Sequence, residues 1–401
     1  MGLNINKLYT TIFIIFFLFP IFSYGTDVVP HANQRILNLK FYNEAINIVY
    51  DDRIIVDVLD ENSEASITDF YSKMATTPYQ SLLENLEKYK SKLSLNDWLY
   101  YELIRSTLNE VCTDKSDRQK ELTAWFLLSK AGYNTRLTYL GVFIFVYVHS
   151  EENIFETPMI EEKGRMFINL SSIYNNIDTK GAFLNMLPLT PNPDGKAFSF
   201  DLSQLPNFTP VEKMRNLSFK WKEQTFDLQI KFDLNLIHMM ENYPIFEEVN
   251  YIQTPLSKLA SQSILPQLNE IIQGKTEKEA LEILAIFTRS SFLYKEDNDY
   301  FGKNKPMIGD EVFYYPYSDC EDRSALFYYL VKELLHLPMI VIAYNDHLTI
   351  AVATSQPIGN PIHHGKRKYY ICDPTGPSNS EEIGAPPRGY RNKKFEILEI
   401  N

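Results

Sequence analysis

The sequence has few cysteines, a deficit of basic residues and a single long apolar run. Three cysteines in 401 residues cannot build a disulfide scaffold, and their odd number leaves one thiol free unless two chains pair. Lys and Arg total 39 against 51 Asp and Glu, which argues against nucleic acid as a partner. The composition, 45% hydrophobic and 14% aromatic, predicts packed cores instead of disorder. The length predicts about two to three domains.

The long apolar run lies at the N-terminus. It extends from Leu8 to Phe22 after Lys7, the only charged residue in the first 25, and Ser23-Tyr24-Gly25 supplies small residues at a cleavage site. The alternative is a membrane anchor, but the run is shorter than the roughly 20 residues that span a bilayer. We therefore predict a signal peptide at 1–25 and a secreted protein, periplasmic or extracellular, with no membrane span after cleavage. A free thiol in such an oxidising compartment calls for an explanation.

Periodicity predicts an α+β protein with three parts after the signal peptide. Apolar residues recur at helical spacing in 82–104 and 122–130, and a buried strand follows at 143–148, so 26–185 is predicted to be a mixed α/β domain. Proline and glycine at 185–200 predict a boundary. Strict alternation of apolar and polar residues over 226–236 then predicts a β-rich linking domain, 186–270, and 271–401 is predicted to be a separate C-terminal domain.

The segment from Ser318 to Pro338 carries the first chemical signal. Ser318 or Asp319 can cap a helix whose apolar face continues to its end at Pro338. Cys320 then lies in the first turn, where backbone N–H groups and the helix dipole stabilise a thiolate. The adjacent acidic residues oppose this effect, so activation of the thiol requires a cationic partner.

Two downstream strands provide that partner and a group to orient it. His347 opens a strand that follows a turn, and Asp373 ends another strand just before Pro374-Thr375. A carboxylate at a strand end can bond one imidazole nitrogen of a histidine on the neighbouring strand and fix its orientation. The chain order is therefore Cys, His, Asp.

These motifs resemble the core of the transglutaminase-like superfamily, a branch of the papain-like cysteine enzymes, and in particular secreted bacterial members. The resemblance covers roughly residues 278–376 and depends on Cys320-Glu-Asp322, His347 and Asp373-Pro-Thr375. It implies a papain-like C-terminal fold with Cys320 as nucleophile, His347 as general base and acid, and Asp373 as the orienting carboxylate. Three positions depart from the family pattern, namely Ser318 and His336 in place of glycines and Thr349 in place of an aromatic residue.

The remaining candidate residues have simpler interpretations. Cys112 and Cys372 are expected to be structural, and His363-His364 to lie in an exposed loop, so no metal site is predicted. The tyrosines before Cys320, Tyr315 and Tyr317 among them, can supply an oxyanion donor or a substrate wall, although packing is the simpler role. No cofactor is predicted.

A shift of 204 residues aligns the predicted elements of the first domain with those around the triad. It places Cys320 on Ser116, His347 on Phe143 and Asp373 on Asn169, almost without identities. We therefore hypothesise that the first domain is a repeat of the same fold that lacks the triad, although ordinary α/β periodicity can also produce such a match.

Two functions follow from these observations. The first is a secreted cysteine enzyme that hydrolyses or transfers an acyl or amide group through a thioester. A peptidase or amidase acting on a peptide or protein substrate, such as cell-wall peptide, is favoured over protein cross-linking. The second is a non-catalytic binding or scaffold protein that retains the fold. An intact triad argues for the first, and the acidic neighbours of Cys320 argue for the second.

Overall fold

The computed structural model describes residues 33–58, 62–174, 181–376 and 382–400. The predicted signal peptide, 1–25, lies outside these residues. The chain forms a mixed α/β structure with about 37% helix and 27% strand, including two curled half-barrel sheets. In the described part of the chain, none of the helices has the length and apolarity that a membrane crossing needs.

The first sheet is built from residues before 187. The elements of this region are a short 3-10 turn at Asp52–Ile54, β1 (Gln34–Phe41), β2 (Glu44–Asp51), α1 (Glu64–Ala75), α2 (Tyr79–Lys92), α3 (Asp97–Val111), α4 (Asp117–Lys130), β3 (Thr135–Leu140), β4 (Phe143–His149), β5 (Ile154–Phe155), β6 (Met159–Glu162), β7 (Arg165–Asn169), α5 (Leu170–Tyr174) and β8 (Asn185–Met186). Five of these strands form the antiparallel sheet β6-β7-β4-β3-β8, and β1 and β2 form a separate hairpin.

The second sheet is built from residues after 338. The elements from residue 212 onward are β9 (Glu212–Trp221), β10 (Gln224–Asp233), α6 (Leu234–Met240), β11 (Ile245–Phe246), α7 (Glu248–Gln253), α8 (Lys258–Ile272), α9 (Glu277–Ser290), β12 (Leu293–Tyr294), α10 (Asp297–Tyr300), α11 (Gly309–Tyr314), β13 (Tyr317–Ser318), α12 (Cys320–Leu335), β14 (Met339–Tyr344), β15 (His347–Val352), β16 (Ile362–His364), β17 (Arg367–Cys372) and β18 (Glu396–Leu398). The antiparallel sheet has the order β16-β17-β15-β14-β18.

The two sheets have the same strand order, and each follows a helix that packs on it. The first hairpins share one register at the 204-residue shift, because Thr135 lies opposite Val148 and Met339 opposite Val352. In the next strand pair the registers differ by two residues, since Val148 pairs with Ile168 whereas Val352 pairs with Tyr370. A two-residue difference keeps each side chain on the same face of the sheet.

Two large hydrophobic cores support the sheets. The first core joins β1, β2 and α1 to α4 with β3 and β4, and the second joins α8, α9 and α12 with the hairpin β9–β10 and the second sheet. The segment predicted as a boundary packs into the first core, where Phe198, Phe200 and Leu202 are buried. The predicted linking region, 186–270, contains the hairpin, α6, α7 and most of α8, which continues to Ile272 across the predicted boundary.

Two local expectations were wrong. The alternation that predicts a strand to residue 236 ends at Asp233, because the Asp233 side chain accepts a hydrogen bond from the Asn235 N–H and caps α6. His363 and His364 lie in the short strand β16 instead of a loop, since this segment pairs with β17.

Candidate active site

Cys320 is the first residue of α12, in agreement with the sequence prediction. Asp319 is the N-cap, and its backbone N–H donates to the carboxyl of Asp322 at 3.1 Å, which closes the first turn. At the other end His336 adopts a left-handed conformation with φ of 54°, in the position where glycine commonly ends a helix. The helix therefore presents Cys320 at its N-terminal end.

The surroundings of Cys320 keep its thiol protonated. The residue is 8% exposed, and Sγ donates to Glu321 Oε2 at 2.9 Å. Burial, followed by the charges of Glu321 and Asp319, raises the pKa of Cys320 well above its ordinary value, whereas a backbone hydrogen bond from Leu348 lowers it. The resting side chain is thus a neutral thiol that faces a carboxylate.

His347 and Asp373 lie together on neighbouring strands. His347 Nε2 is 3.3 Å from Asp373 Oδ1, and both side chains are almost completely buried. The antiparallel pairing of β15 with β17 produces this contact, because Asp373 directly follows the last residue of β17. Within the described residues, no hydrogen bond occupies Nδ1 of His347.

Two threonines and an arginine hold Asp373 in place. Thr349 and Thr375 donate to Asp373 Oδ1 at 3.1 and 2.9 Å, while Oδ2 is buried without a partner in the described part of the chain. The Nε–H of Arg289 donates to the Asp373 carbonyl at 2.8 Å. Thr349 stands where the resemblance of the motifs implied an aromatic residue, and its hydroxyl positions the carboxylate.

Arg323 connects the Cys320 helix to the strand end that carries Asp373. Its side chain is completely buried one turn after Cys320, and its N–H groups donate to Ser318 Oγ and to three backbone carbonyls, those of Arg289, Phe292 and Thr375. Because these partners lie on separate segments, Arg323 fixes the distance between the helix and the strand end.

Two tyrosines that no sequence motif indicated, Tyr390 and Tyr294, lie near His347 and Cys320. The Tyr390 ring is 4.9 Å from the His347 ring, and burial, Asp346 and repulsion from the ionised forms of Cys320 and Asp373 raise the pKa of Tyr390 to about 12. The pKa of Tyr294 is raised by burial, by Glu296 and also by Cys320. Both tyrosines therefore lie within electrostatic range of the thiol.

The tyrosines chosen from the sequence lie in the loop before α12. Tyr315 packs against Phe301 at 5.1 Å, and Tyr317 packs against Tyr300 at 4.8 Å. In the described part of the chain, no hydrogen bond or ring contact joins either of them to Cys320, His347 or Asp373. Their role as oxyanion donors or substrate wall stays a prediction.

A cluster of carboxylates borders Cys320. One oxygen each of Asp297, Asp319 and Glu321 lies within 4.8 Å of the other two. Burial raises the pKa of Asp297 to about 6 and, together with the charges of Asp322 and Glu321, raises that of Asp319. Oxygen ligands of this kind could hold a divalent cation. The sequence analysis missed this cluster because Asp297 is distant along the chain from Cys320.

Comparison with known proteins provides no further assignment for this site. No protein-family model, no curated protein and no solved structure matches the chain. The interpretation of the site therefore depends on its own geometry and on the resemblance of its motifs.

Proposed function

We propose that the protein is a cysteine enzyme that cleaves or transfers an acyl or amide group, with Cys320, His347 and Asp373 as its catalytic triad. The contact of 3.3 Å between His347 Nε2 and Asp373 Oδ1 carries this proposal. Nε2 lies against the buried Asp373 carboxylate and within 3.5 Å of Thr375 Oγ1, which leaves Nδ1 for a second partner. We assign Cys320 as that partner, because its sulfur accepts a hydrogen bond from the backbone of Leu348, the residue after His347.

The reaction begins from a neutral thiol. His347 Nδ1 takes the proton from Cys320 as Sγ attacks the substrate carbonyl, which forms a tetrahedral intermediate with a negatively charged oxygen. The imidazolium then donates the proton to the leaving amine, and the carbonyl re-forms as a thioester on Sγ. Asp373 stabilises the imidazolium between these two proton transfers.

Resolution of the thioester decides the product. His347 removes a proton from water or from an amine, the oxygen or nitrogen attacks the thioester carbonyl, and the proton returns to Sγ as the thiolate leaves. Water yields hydrolysis, and an amine yields transfer. We favour peptide or amide hydrolysis on a peptide or protein substrate, in an exported protein of the kind that the N-terminal sequence predicts.

Glu321 is the feature that favours the alternative function. A carboxylate 2.9 Å from Sγ disfavours the thiolate, which is unusual for a nucleophile at rest. A binding or scaffold protein that retains the fold would tolerate this arrangement. We nevertheless favour catalysis, because a protein without chemistry has no evident need for buried His347 and Asp373 beside the same helix end.

The experiment compares the wild type with Cys320→Ala on dimethylated casein. Three readouts separate the outcomes, namely new amino termini for a peptidase, released ammonia for an amidase and incorporated dansylcadaverine for a transferase. Each is measured both with calcium and with EDTA, because the carboxylate cluster borders the thiol. Activity in any readout that Cys320→Ala abolishes supports the proposal. If no thioester on Cys320 is detected by mass after acid quenching and no readout depends on Cys320, the binding function is favoured.

A further inference from the structure

The region around α4 contains a cavity that the proposed reaction does not use. It has a volume of about 320 Å³ and lies between α3, the first turns of α4 and α5. Its polar lining consists of Arg105, Asn109, Asp117, Lys120, Glu121 and Tyr174. α4 packs on the first sheet as α12 packs on the second. The cavity therefore borders the helix that corresponds to α12.

A buried ion pair forms the inner wall of this cavity. Arg105 Nη1 donates to Glu121 Oε1, and the two side chains are 20% and 5% exposed. Ser171 donates to the second oxygen of Glu121 at 2.7 Å. Both oxygens of Glu121 are therefore engaged, and the carboxylate has little capacity left for a ligand.

Arg105 retains unused hydrogen-bond donors. Nη1 bonds Glu121 and Tyr101, and the guanidinium carbon lies 4.2 Å from the centroid of the Tyr174 ring. Within the described residues, Nε–H and the Nη2–H groups make no hydrogen bond. These groups form one edge of the guanidinium, and that edge matches a carboxylate with two parallel hydrogen bonds.

Lys120 adds a second cation to the same cavity. Its ammonium lies 3.8 Å from Asp117 Oδ1, which is too long for a hydrogen bond, and the Asp117 side chain is 94% exposed. Water therefore screens Asp117 strongly, whereas Lys120 is 20% exposed. The unsatisfied charge that faces the cavity is positive.

We propose that this cavity binds a carboxylate group, held by the free edge of Arg105 and by Lys120. The carboxylate belongs either to a free small acid or to an acidic side chain of a peptide. The positions that correspond to Cys320 and His347 are Ser116 and Phe143, so the first sheet has no nucleophile and base at these positions. Its surface serves recognition, and this function does not depend on the proposed reaction.

Calorimetric titrations of the full chain test the proposal. The ligands are succinate, acetyl-Ala-Glu-Ala-amide, the matched Gln peptide and inorganic phosphate. All proteins carry Cys320→Ala, so that no turnover occurs and a failure here is independent of the proposed function. Lys120→Gln removes one cation, Asn109→Asp adds an anion at the exposed edge, and Lys130→Gln, at the far end of the same helix, is the control. Arg105 is left intact because its loss would strand Glu121.

We expect saturable binding of succinate or of the Glu peptide. The Gln peptide should bind at least tenfold more weakly. We expect Lys120→Gln and Asn109→Asp each to weaken this binding about tenfold and Lys130→Gln to leave it unchanged. Binding of succinate alone identifies a free acid, and binding of the Glu peptide identifies a side chain. The proposal would be overturned by any of four results. These are equal binding of both peptides, binding of phosphate alone, equal effects of Lys120→Gln and Lys130→Gln, and no saturable binding.

Discussion

The two curled sheets share one strand order but contain different chemistry at corresponding positions. Beside the second sheet Cys320 begins α12, and His347 and Asp373 lie 3.3 Å apart. At the corresponding positions around the first sheet are Ser116, Phe143 and, by the strand pairing, Ser171. The same topology therefore supports a candidate nucleophile in one case and none in the other. Only the side chains on the common framework distinguish the two sites.

The two regions also differ in the buried polar side chains that hold their helices in place. Behind the triad, Arg323 bonds three backbone carbonyls and Ser318. Its shifted counterpart, Gln119, makes one side-chain bond, to the Val56 carbonyl at 2.7 Å. The first sheet instead has the Arg105–Glu121 pair. Arg323 therefore joins several separate segments, whereas Gln119 joins its helix to one.

The largest predicted loss of stability comes from replacing Arg323, and Gln119 at the corresponding position is the matched control. Arg323→Met leaves several buried carbonyls without donors, and we expect a loss of about 3–5 kcal/mol in the free energy of unfolding. Gln119→Met removes a single hydrogen bond, and about 1–2 kcal/mol is expected. Urea unfolding monitored by circular dichroism measures both losses. Equal losses would contradict the assignment of Arg323 as the residue that holds α12 and the strand end together.

A slightly smaller effect is expected at the ion pair of the first sheet. Arg105→Met leaves the Glu121 carboxylate buried and unpaired, which should cost about 3 kcal/mol. Combining it with Glu121→Gln removes the stranded charge, so we expect the double variant to lose only about 1 kcal/mol. A double-mutant cycle in urea provides the measurement. If the two changes add instead of compensating, the pair is not coupled as its geometry indicates.

A buried carboxyl group, Glu102, should make the stability of the first core depend on pH. Burial raises the pKa of Glu102 to about 7, against the lowering effect of hydrogen bonds from Tyr42 and Tyr174. The folded state therefore holds this proton more tightly than the unfolded state, and the associated stability is lost as the pH rises from about 4.5 to about 7. We expect a loss of about 3 kcal/mol at most, which Glu102→Gln removes. Urea unfolding at a series of pH values across this range measures the loss. Glu110→Gln, exposed on the same helix, is the control. If the free energy of unfolding of Glu102→Gln depends on pH as that of the wild type does, Glu102 is not the cause.

Local sequence signals were sufficient for the helices that carry the site. The cap at Asp319 and the stop at Pro338 bracket α12. Gly132 marks the end of α4, but α4 begins at Asp117, five residues before the predicted stretch 122–130. Caps and breakers act over a few residues, so they are visible in one sequence. The mixed helix and strand content was predicted for the same reason.

Contacts between distant segments could not be predicted. Tyr390 lies against His347, and Asp297 lies close to Glu321, although these residues are distant along the chain. No local sequence pattern indicates such contacts. The position of Phe198 to Leu202 in the first core was missed because proline and glycine mark turns but do not show which core a segment joins. The catalytic assignment itself is still a prediction.

The most direct test of the triad is the rate of Cys320 alkylation by iodoacetamide across pH. Four full-length proteins are compared in EDTA, namely the wild type, Glu321→Gln, His347→Ala and the double variant, with the labelled peptide identified by mass. Burial and the neighbouring charges raise the pKa of Cys320, so the wild type should react more slowly than a free thiol near neutral pH. Because Glu321→Gln removes one of these charges, its rate should rise about tenfold.

The double variant tests the pairing of Cys320 with His347. If the imidazole accepts the thiol proton, His347→Ala slows alkylation in the wild type and abolishes the gain from Glu321→Gln. Unchanged rates in both His347→Ala proteins would contradict the triad and leave the binding function as the better explanation.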